Sequence, residues 1–207
     1  MARYIGPVCR LCRREGEKLF LKGERCFSKC TLDKRPIAPG QHGKSRQSTS
    51  DFKVQLRARQ KTKRMYGMLE GAFRKIYELA NKKKGVTGTE MLRLLEQRLD
   101  NIVHRLGFGG SRALARQLVR HGHILVNGKR VTIPSFSVSV GDAIEVAEKS
   151  KGFQVVRDSV VSAKSRIIPS WLSLDDVALK GSILSLPDRE MLPQTISEQD
   201  IIEGYSR

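Results

Sequence analysis

RLDNIVHRLGFGGSRALARQLVRHGHILVNGKRV, residues 98–131, passes from helical to strand periodicity in one short stretch. Together with the residues just before it, Leu92, Leu95, Leu99, Ile102 and Leu106 form one apolar stripe, and Gly107 ends that helix. Ser111 caps a second helix, whose apolar side is Leu114, Ala115, Leu118 and Val119 and which Gly122 ends. Asn127-Gly128, set between β-branched runs, predicts a tight hairpin turn. Phe136, Val138 and Val140 then alternate with Ser137 and Ser139, and Ala143–Val146 follows a Gly141-Asp142 turn. These signals predict an α+β module over 91–157, with two helices followed by a small antiparallel sheet.

The second helix carries Arg112, Arg116 and Arg120 four residues apart, so they share one side. Three guanidiniums in a row match a line of phosphates. Asn127, Lys129 and Arg130 at the hairpin could meet the same surface, and His121 and His123 read as backbone or phosphate contacts.

Upstream, residues 51–84 are predicted helical. Leu69, Phe73, Ile76, Tyr77 and Ala80 recur at helical spacing, whereas the first half is too polar for a core. From Phe52 to Arg64 there are six basic residues (Lys53, Arg57, Arg59, Lys61, Lys63 and Arg64) and no acid. A charge run is usually a solvated face. This one lacks local compensation, which favours phosphate contact. Residues 31–50 carry prolines, glycines and serines without apolar period, predicting an extended basic connection. Its Gln41, His42, Lys44 and Arg46 are candidates to lie along RNA.

All four cysteines fall in two close pairs, Cys9/Cys12 and Cys26/Cys30, with Arg10, Arg13, Arg14, Arg25 and Lys29 among them. Four thiolates suit one tetrahedral zinc ion, leave no open position for substrate, and would carry a net charge of about −2 that the cations offset. Such a structural site contributes roughly 10–16 kcal/mol of apparent binding free energy. An iron–sulfur cluster is the alternative ligand. Disulfides lack a secretory context, and a redox pair lacks its strand–helix setting.

The 207 residues carry 39 Lys+Arg against 21 Asp+Glu, a formal charge of +18. A compact body so charged calls for a polyanion. The opening MARYIGPVCRLC lacks an apolar signal core, no stretch approaches the roughly 18 apolar residues of a membrane span, and the basic segments lack a bulky apolar face for a membrane surface. Only 6% of residues are aromatic, which argues against base stacking as the main binding mode. Residues 151–207 carry 7 basic against 8 acidic groups, predicting that they pack on protein, chiefly the helices of 51–90. The predicted division is therefore a four-cysteine zinc segment with its basic connection at 1–50, a mainly helical domain from 51–90 plus 158–207, and the inserted module at 91–157.

MARYIGPVCRLCRREGEKLFLKG, APGQHG, the stretch 98–131 and the ending SEQDIIEGYSR resemble the bacterial small-subunit ribosomal protein four family over essentially the whole chain. Residues 98–131 are the most specific part and resemble the RNA-binding module named after that family. The resemblance implies a cytoplasmic, ribosome-bound structural protein, not an enzyme. It implies binding to the five-way junction in the 5′ domain of small-subunit (16S-type) ribosomal RNA early in assembly. It also implies an interface with ribosomal protein five that bears on translational accuracy. With ribosomal protein three as a further neighbour, the family lines the channel that draws in mRNA, for which Lys44 and Arg46 are the candidates by position. The family often carries a zinc-binding N-terminal segment, and Cys9, Cys12, Cys26 and Cys30 fall where its ligands would stand. Gly204, where a larger residue is common, and the polar run Gln47-Ser48-Thr49-Ser50 depart from the family pattern.

Two rival readings are weaker. Arg98-Leu99-Asp100 mimics the catalytic triplet of pseudouridine synthases, which can carry the same module. Asn101-Ile102-Val103 follows instead of Thr-Ser-Gly, and no catalytic domain's length of chain remains. A free-standing zinc-finger DNA binder would need a base-reading helix after the second cysteine pair, and none is predicted.

Overall fold

The computed structural model describes residues 3–45, 50–163 and 168–206. In chain order its elements are α1 Cys9–Glu15, α2 Arg25–Ser28, α3 Thr31–Lys34, α4 Asp51–Met65, α5 Glu70–Lys82, α6 Thr87–Glu96, α7 Leu99–Arg105 and α8 Arg112–Arg120, then β1 Ile124–Val126, β2 Lys129–Arg130 and β3 Ala143–Val146, and finally α9 Gln154–Ala163, β4 Leu172–Asp175, β5 Lys180–Ile183 and α10 Glu198–Ser206. The fold is mixed α+β and divides into two compact units, Met1–Met91 with Pro193–Arg207, and Leu92–Leu192. Among the described residues no helix is long and apolar enough to cross a membrane.

In the second unit, the apolar stripe expected as one helix folds as two. Arg98 is extended, with ψ of 135°. Residues 134–138 cause the break. The Leu99 N–H donates to the Phe136 carbonyl at 2.9 Å, the Asp100 N–H to the Pro134 carbonyl at 3.1 Å, and the Val138 N–H to the Gln97 carbonyl at 3.0 Å. These bonds replace helical ones, so the stripe survives while the helix does not. Ser111 caps α8 as expected, accepting from the Leu114 N–H at 3.3 Å. Asn127 and Gly128 both take positive φ, 51° and 75°, the conformation of a two-residue hairpin turn with Asn-Gly.

The sheet is antiparallel throughout, in the order β2-β1-β3-β5-β4. Its apolar face packs on α7, α8 and α9 around Leu99, Ile102, Phe108, Val119, Ile144, Val160 and Trp171. Residues 158–192, grouped above with the helices of 51–90, belong here instead. Ala143 pairs with Ser182 and Leu172 with Ile183, which adds β5 and β4 to the sheet. Gly181 lets β5 lie against Leu106, where a Cβ would collide with its side chain.

The first unit is held differently. α4 buries only Gln55 and Thr62, both polar, so an apolar face does not seat it. The predicted continuous helix of 51–84 is split by Gly67, which has a φ of 63°. α10 returns from the end of the chain to pack on α4. At Gly204 a Cβ would meet the Cβ of Gln55 at 3.4 Å, an ordinary contact distance, so this packing does not itself require glycine. Tyr205 stacks on Tyr77 at 4.6 Å and donates its hydroxyl to Glu70 Oε1 at 2.7 Å. Burial alone would raise the Glu70 carboxyl, but the Tyr205 hydroxyl and Lys63 outweigh it and hold it below the ordinary glutamate range. A depressed carboxylate stabilises the fold above its unfolded pKa and loses that contribution as pH falls through its folded pKa. Tyr205→Phe is expected to cost about 1–2 kcal/mol at neutral pH and less in acid, read by urea unfolding at both pH values. A cost unchanged on acidification would show that the hydroxyl does not act through the carboxylate.

Candidate nucleic-acid interface

The basic run on α4 lacks acids locally but has them in three dimensions. Arg57 Nη1 lies 3.3 Å from Glu15 Oε1, and Arg64 bonds the same carboxylate, whose side chain is 3% exposed. Burial pushes the Glu15 carboxyl up, while Arg64 and Arg57 pull it down. Lys61 pairs with Glu17 and donates to the Thr195 carbonyl at 2.7 Å. Lys63 lies 3.0 Å and Arg59 3.8 Å from Glu70, and the Arg59 guanidinium sits 5.0 Å from the centre of the Tyr205 ring. The run is therefore compensated by acids elsewhere in the chain, which the local count does not show. Arg57, Arg59, Lys61, Lys63 and Arg64 tie α4 to α1, to the start of α5 and to the C-terminal segment, while Lys53 is half-buried. The acids lie up to 49 residues away in sequence, which is why a local count missed them.

The arginine row on α8 is also partly committed. Arg98 donates to both Asp100 oxygens, at 3.1 and 2.9 Å, and Arg116 Nη1 donates to Asp100 Oδ2 at 2.9 Å. Arg112 Nε donates to Asn101 Oδ1 at 2.8 Å. Asn101 in turn donates to the Glu96 carboxylate, which also takes Arg105 in a two-bond pair. Three free guanidiniums in line are thus not what forms, and Arg120 is the exposed member. Arg98 and Asp100 form an internal ion pair, which accounts for the catalytic-looking triplet.

At the C-terminal end of α8 and in the following hairpin stand several exposed basic side chains. Arg130 Nη2 donates to the His121 carbonyl at 3.0 Å, and its guanidinium lies over Gly122, where any Cβ would strike it. Arg120, His121, Lys129 and Arg130 are all exposed. Two predicted contacts turn out to have structural partners. The Asn127 side chain donates to Asp142 at 2.7 Å and accepts the Ala143 N–H at 2.9 Å, which fixes the hairpin. His123 Nδ1 is 2.9 Å from the Ser150 hydroxyl, with Phe153 edge-on. Burial, His121 and Arg130 all push the His123 pKa down.

The connection after the cysteines is not extended either. Gln41–Lys44 form a short 3-10 turn. Arg13 Nε donates to the Ile37 carbonyl at 2.8 Å and Arg14 Nη2 to the Pro39 carbonyl at 2.7 Å. These two arginines order the segment and leave Gln41, His42 and Lys44 exposed. Arg46, like Gln47, Ser48 and Thr49 of the polar run, lies outside the described residues.

All four cysteines are free thiols lining one small cavity with Lys22, Arg25 and Lys29. The expected closed metal site is not formed. Among the described residues no group of three or more His, Cys, Asp or Glu side chains stands close enough to hold a metal ion. Burial pushes the Cys12 thiol up, and Cys26, Cys9 and Cys30 add to the rise against an N–H from Leu19. The donor chemistry still fits a soft tetrahedral cation, because the same four side chains share one cavity and the Lys22 N–H already points at Cys26 Sγ from 3.3 Å.

A helical N-terminal unit and a helix-pair-and-sheet module, each with ordered exposed cations, define a basic nucleic-acid-binding class of protein. Two family descriptions match in the same order, Ribosomal protein S4/S9 N-terminal domain over residues 3–96 and S4 domain over residues 97–144. The chain is 58% identical to small ribosomal subunit protein uS4 of Thermus thermophilus, 56% to that of Geotalea daltonii and 54% to that of Desulforamulus reducens, covering 100% of each chain. It belongs to the uS4 family of small ribosomal subunit proteins.

Proposed function

We propose that the chain is a structural, non-catalytic constituent of the small ribosomal subunit that holds small-subunit ribosomal RNA. The observation that carries this reading is full-length similarity to uS4 proteins from three bacteria. The exposed cations at the end of α8 and in the β1–β2 hairpin support it physically. Folded RNA is bound by shape and backbone, which suits long cationic side chains on a rigid frame. Arg120, His121, Lys129 and Arg130 are the leading phosphate contacts, joined by Gln41, His42 and Lys44. Arg112 and Arg116 serve this surface chiefly by bracing α8 through Asn101 and Asp100. Within this reading, the RNA element is the five-way junction of the 5′ domain, the protein neighbours are ribosomal proteins five and three, and Lys44 and Arg46 face mRNA. Purified chain added to small-subunit RNA and its other proteins is expected to co-sediment with the reassembled particle. Recovery only at the top of the gradient would overturn the proposal.

The second part of the proposal is one structural zinc ion on Cys9, Cys12, Cys26 and Cys30. Its support is the shared cavity, the two close pairs and the cationic surround. The ion would supply no chemistry beyond ordering residues 9–30. Cys12→Ser is expected to lower bound zinc from about one per chain to near zero and to raise protease cleavage within the first 45 residues, with the 92–192 unit unaffected. Full zinc in the variant, by elemental analysis, would contradict the assignment. An iron content with visible absorption would point to a cluster instead.

A further inference from the structure

Phe20 and Phe27 are stacked, ring centres 4.9 Å apart and planes 30° apart, yet they are 40% and 62% exposed. Phe20 also has a φ of 50°, a left-handed conformation that a bulky residue adopts only when its surroundings impose it. The imposing contacts lie on either side. Leu19, 1% exposed, sends its N–H to Cys12, and the Lys22 N–H reaches Cys26 Sγ. The chain between them must invert, and the inversion turns the Phe20 ring outward onto Phe27.

The setting argues for what covers them. Residues 18–35 carry six basic side chains, Lys18, Lys22, Arg25, Lys29, Lys34 and Arg35, against Glu24 and Asp33, and Lys18 is bonded to Asp33 at 2.8 Å. Lys22, Arg25 and Lys29 are exposed along the same short turn and helix. The exposed ring area is about 200 Å², taking roughly 150–250 Å² for a whole aromatic side chain. A stable protein contact needs about 800 Å² per partner, several times this area. An aromatic ring carrying negative charge on its tether fits both size and sign.

We propose that Phe20 and Phe27 form a stacking platform for one unpaired base of ribosomal RNA. The base continues the stack on the outer face of Phe27, and its flanking phosphates fall to Lys22, Arg25 and Lys29. This rests on the RNA-binding reading above and adds a base contact to a surface otherwise read as backbone-directed. Base–aromatic stacking is sequence-tolerant, because every base offers a ring face.

The test uses the full chain and a small-subunit 5′-domain transcript in filter binding, with Phe27→Ala, Phe27→Leu and Phe27→Trp. The Ala and Leu variants are expected to lose about 5- to 100-fold in affinity with unchanged thermal stability, while the Trp variant keeps it. The single native tryptophan, Trp171, is 1% exposed, so fluorescence from the indole introduced by Phe27→Trp, quenched by the transcript, reports stacking. Wild-type affinity in the Ala variant with no quenching of the introduced indole, or full affinity with Leu, would overturn the platform. Normal RNA affinity in the Ala variant with poor incorporation into reassembled subunits would assign the rings to a protein neighbour and also overturn it. Failure of the wild-type chain to bind the transcript would instead remove the functional reading beneath it.

Discussion

Asp100→Ala is expected to destabilise the Leu92–Leu192 unit by about 3–5 kcal/mol, the usual cost of removing one partner from a buried ion pair. Asp100 has a side chain 7% exposed and is held between Arg98, 7% exposed, and Arg116, 11% exposed. Its carboxylate accepts three short bonds from the two guanidiniums. Without it, two cations face each other with little water to screen them. The same site sets the kink between α6 and α7, so the loss should spread to the 134–138 segment bonded there. Asp100→Asn keeps acceptor geometry on one side and should fall between the two. Urea unfolding reads both variants through the midpoint at constant slope. A change below about 1 kcal/mol for Ala would show that water reaches the triad freely.

The second large effect separates cations that build the fold from cations proposed to face RNA. Changing Arg120, Lys129 and Arg130 together to Gln is expected to lower affinity for a 5′-domain transcript and flatten its salt dependence. The expected loss is roughly 0.7–0.9 in log–log slope for each phosphate contact removed, or about 2–3 in total. Stability should change little, because all three are exposed. Arg57→Gln with Arg64→Gln should do the reverse. That pair leaves Glu15 buried without its cations and is expected to cost several kcal/mol, with the salt slope nearly intact below the melting range. Equal slope losses from both sets would mean that the paired arginines of α4 also meet phosphate.

The RNA-binding module was largely legible because its signals are local. The apolar stripe, the Ser111 cap and the Asn127-Gly128 turn each act over a few residues. The kink at Arg98 was not legible, since it depends on carbonyls at Pro134 and Phe136 far along the chain. The strand Lys180–Ile183 was not legible because KGSI carries little apolar alternation and gains its strand character from β3; LSLD at 172–175 does alternate, but over four residues only, and it becomes a strand by pairing with β5. For the interface, residue type was legible and availability was not. Arg57, Arg64 and Arg116 look identical to Arg120 and Arg130 in sequence. Only the positions of Glu15 and Asp100 in space distinguish them. Arg13 and Arg14, which order the Gln41–Lys44 turn through the carbonyls of Ile37 and Pro39, carry no periodic signal at all.

We propose that exposed cations on this ion-paired frame grip small-subunit ribosomal RNA, and the most direct test of that proposal is one binding measurement. It compares the affinity of the intact chain for a 5′-domain transcript with that for an unrelated structured RNA of equal length, across a range of salt concentrations. The predicted result is tighter binding to the 5′ domain, with a steep negative slope that the Arg120, Lys129 and Arg130 variant loses in part. Equal affinity for the two RNAs, or binding indifferent to salt, would contradict it.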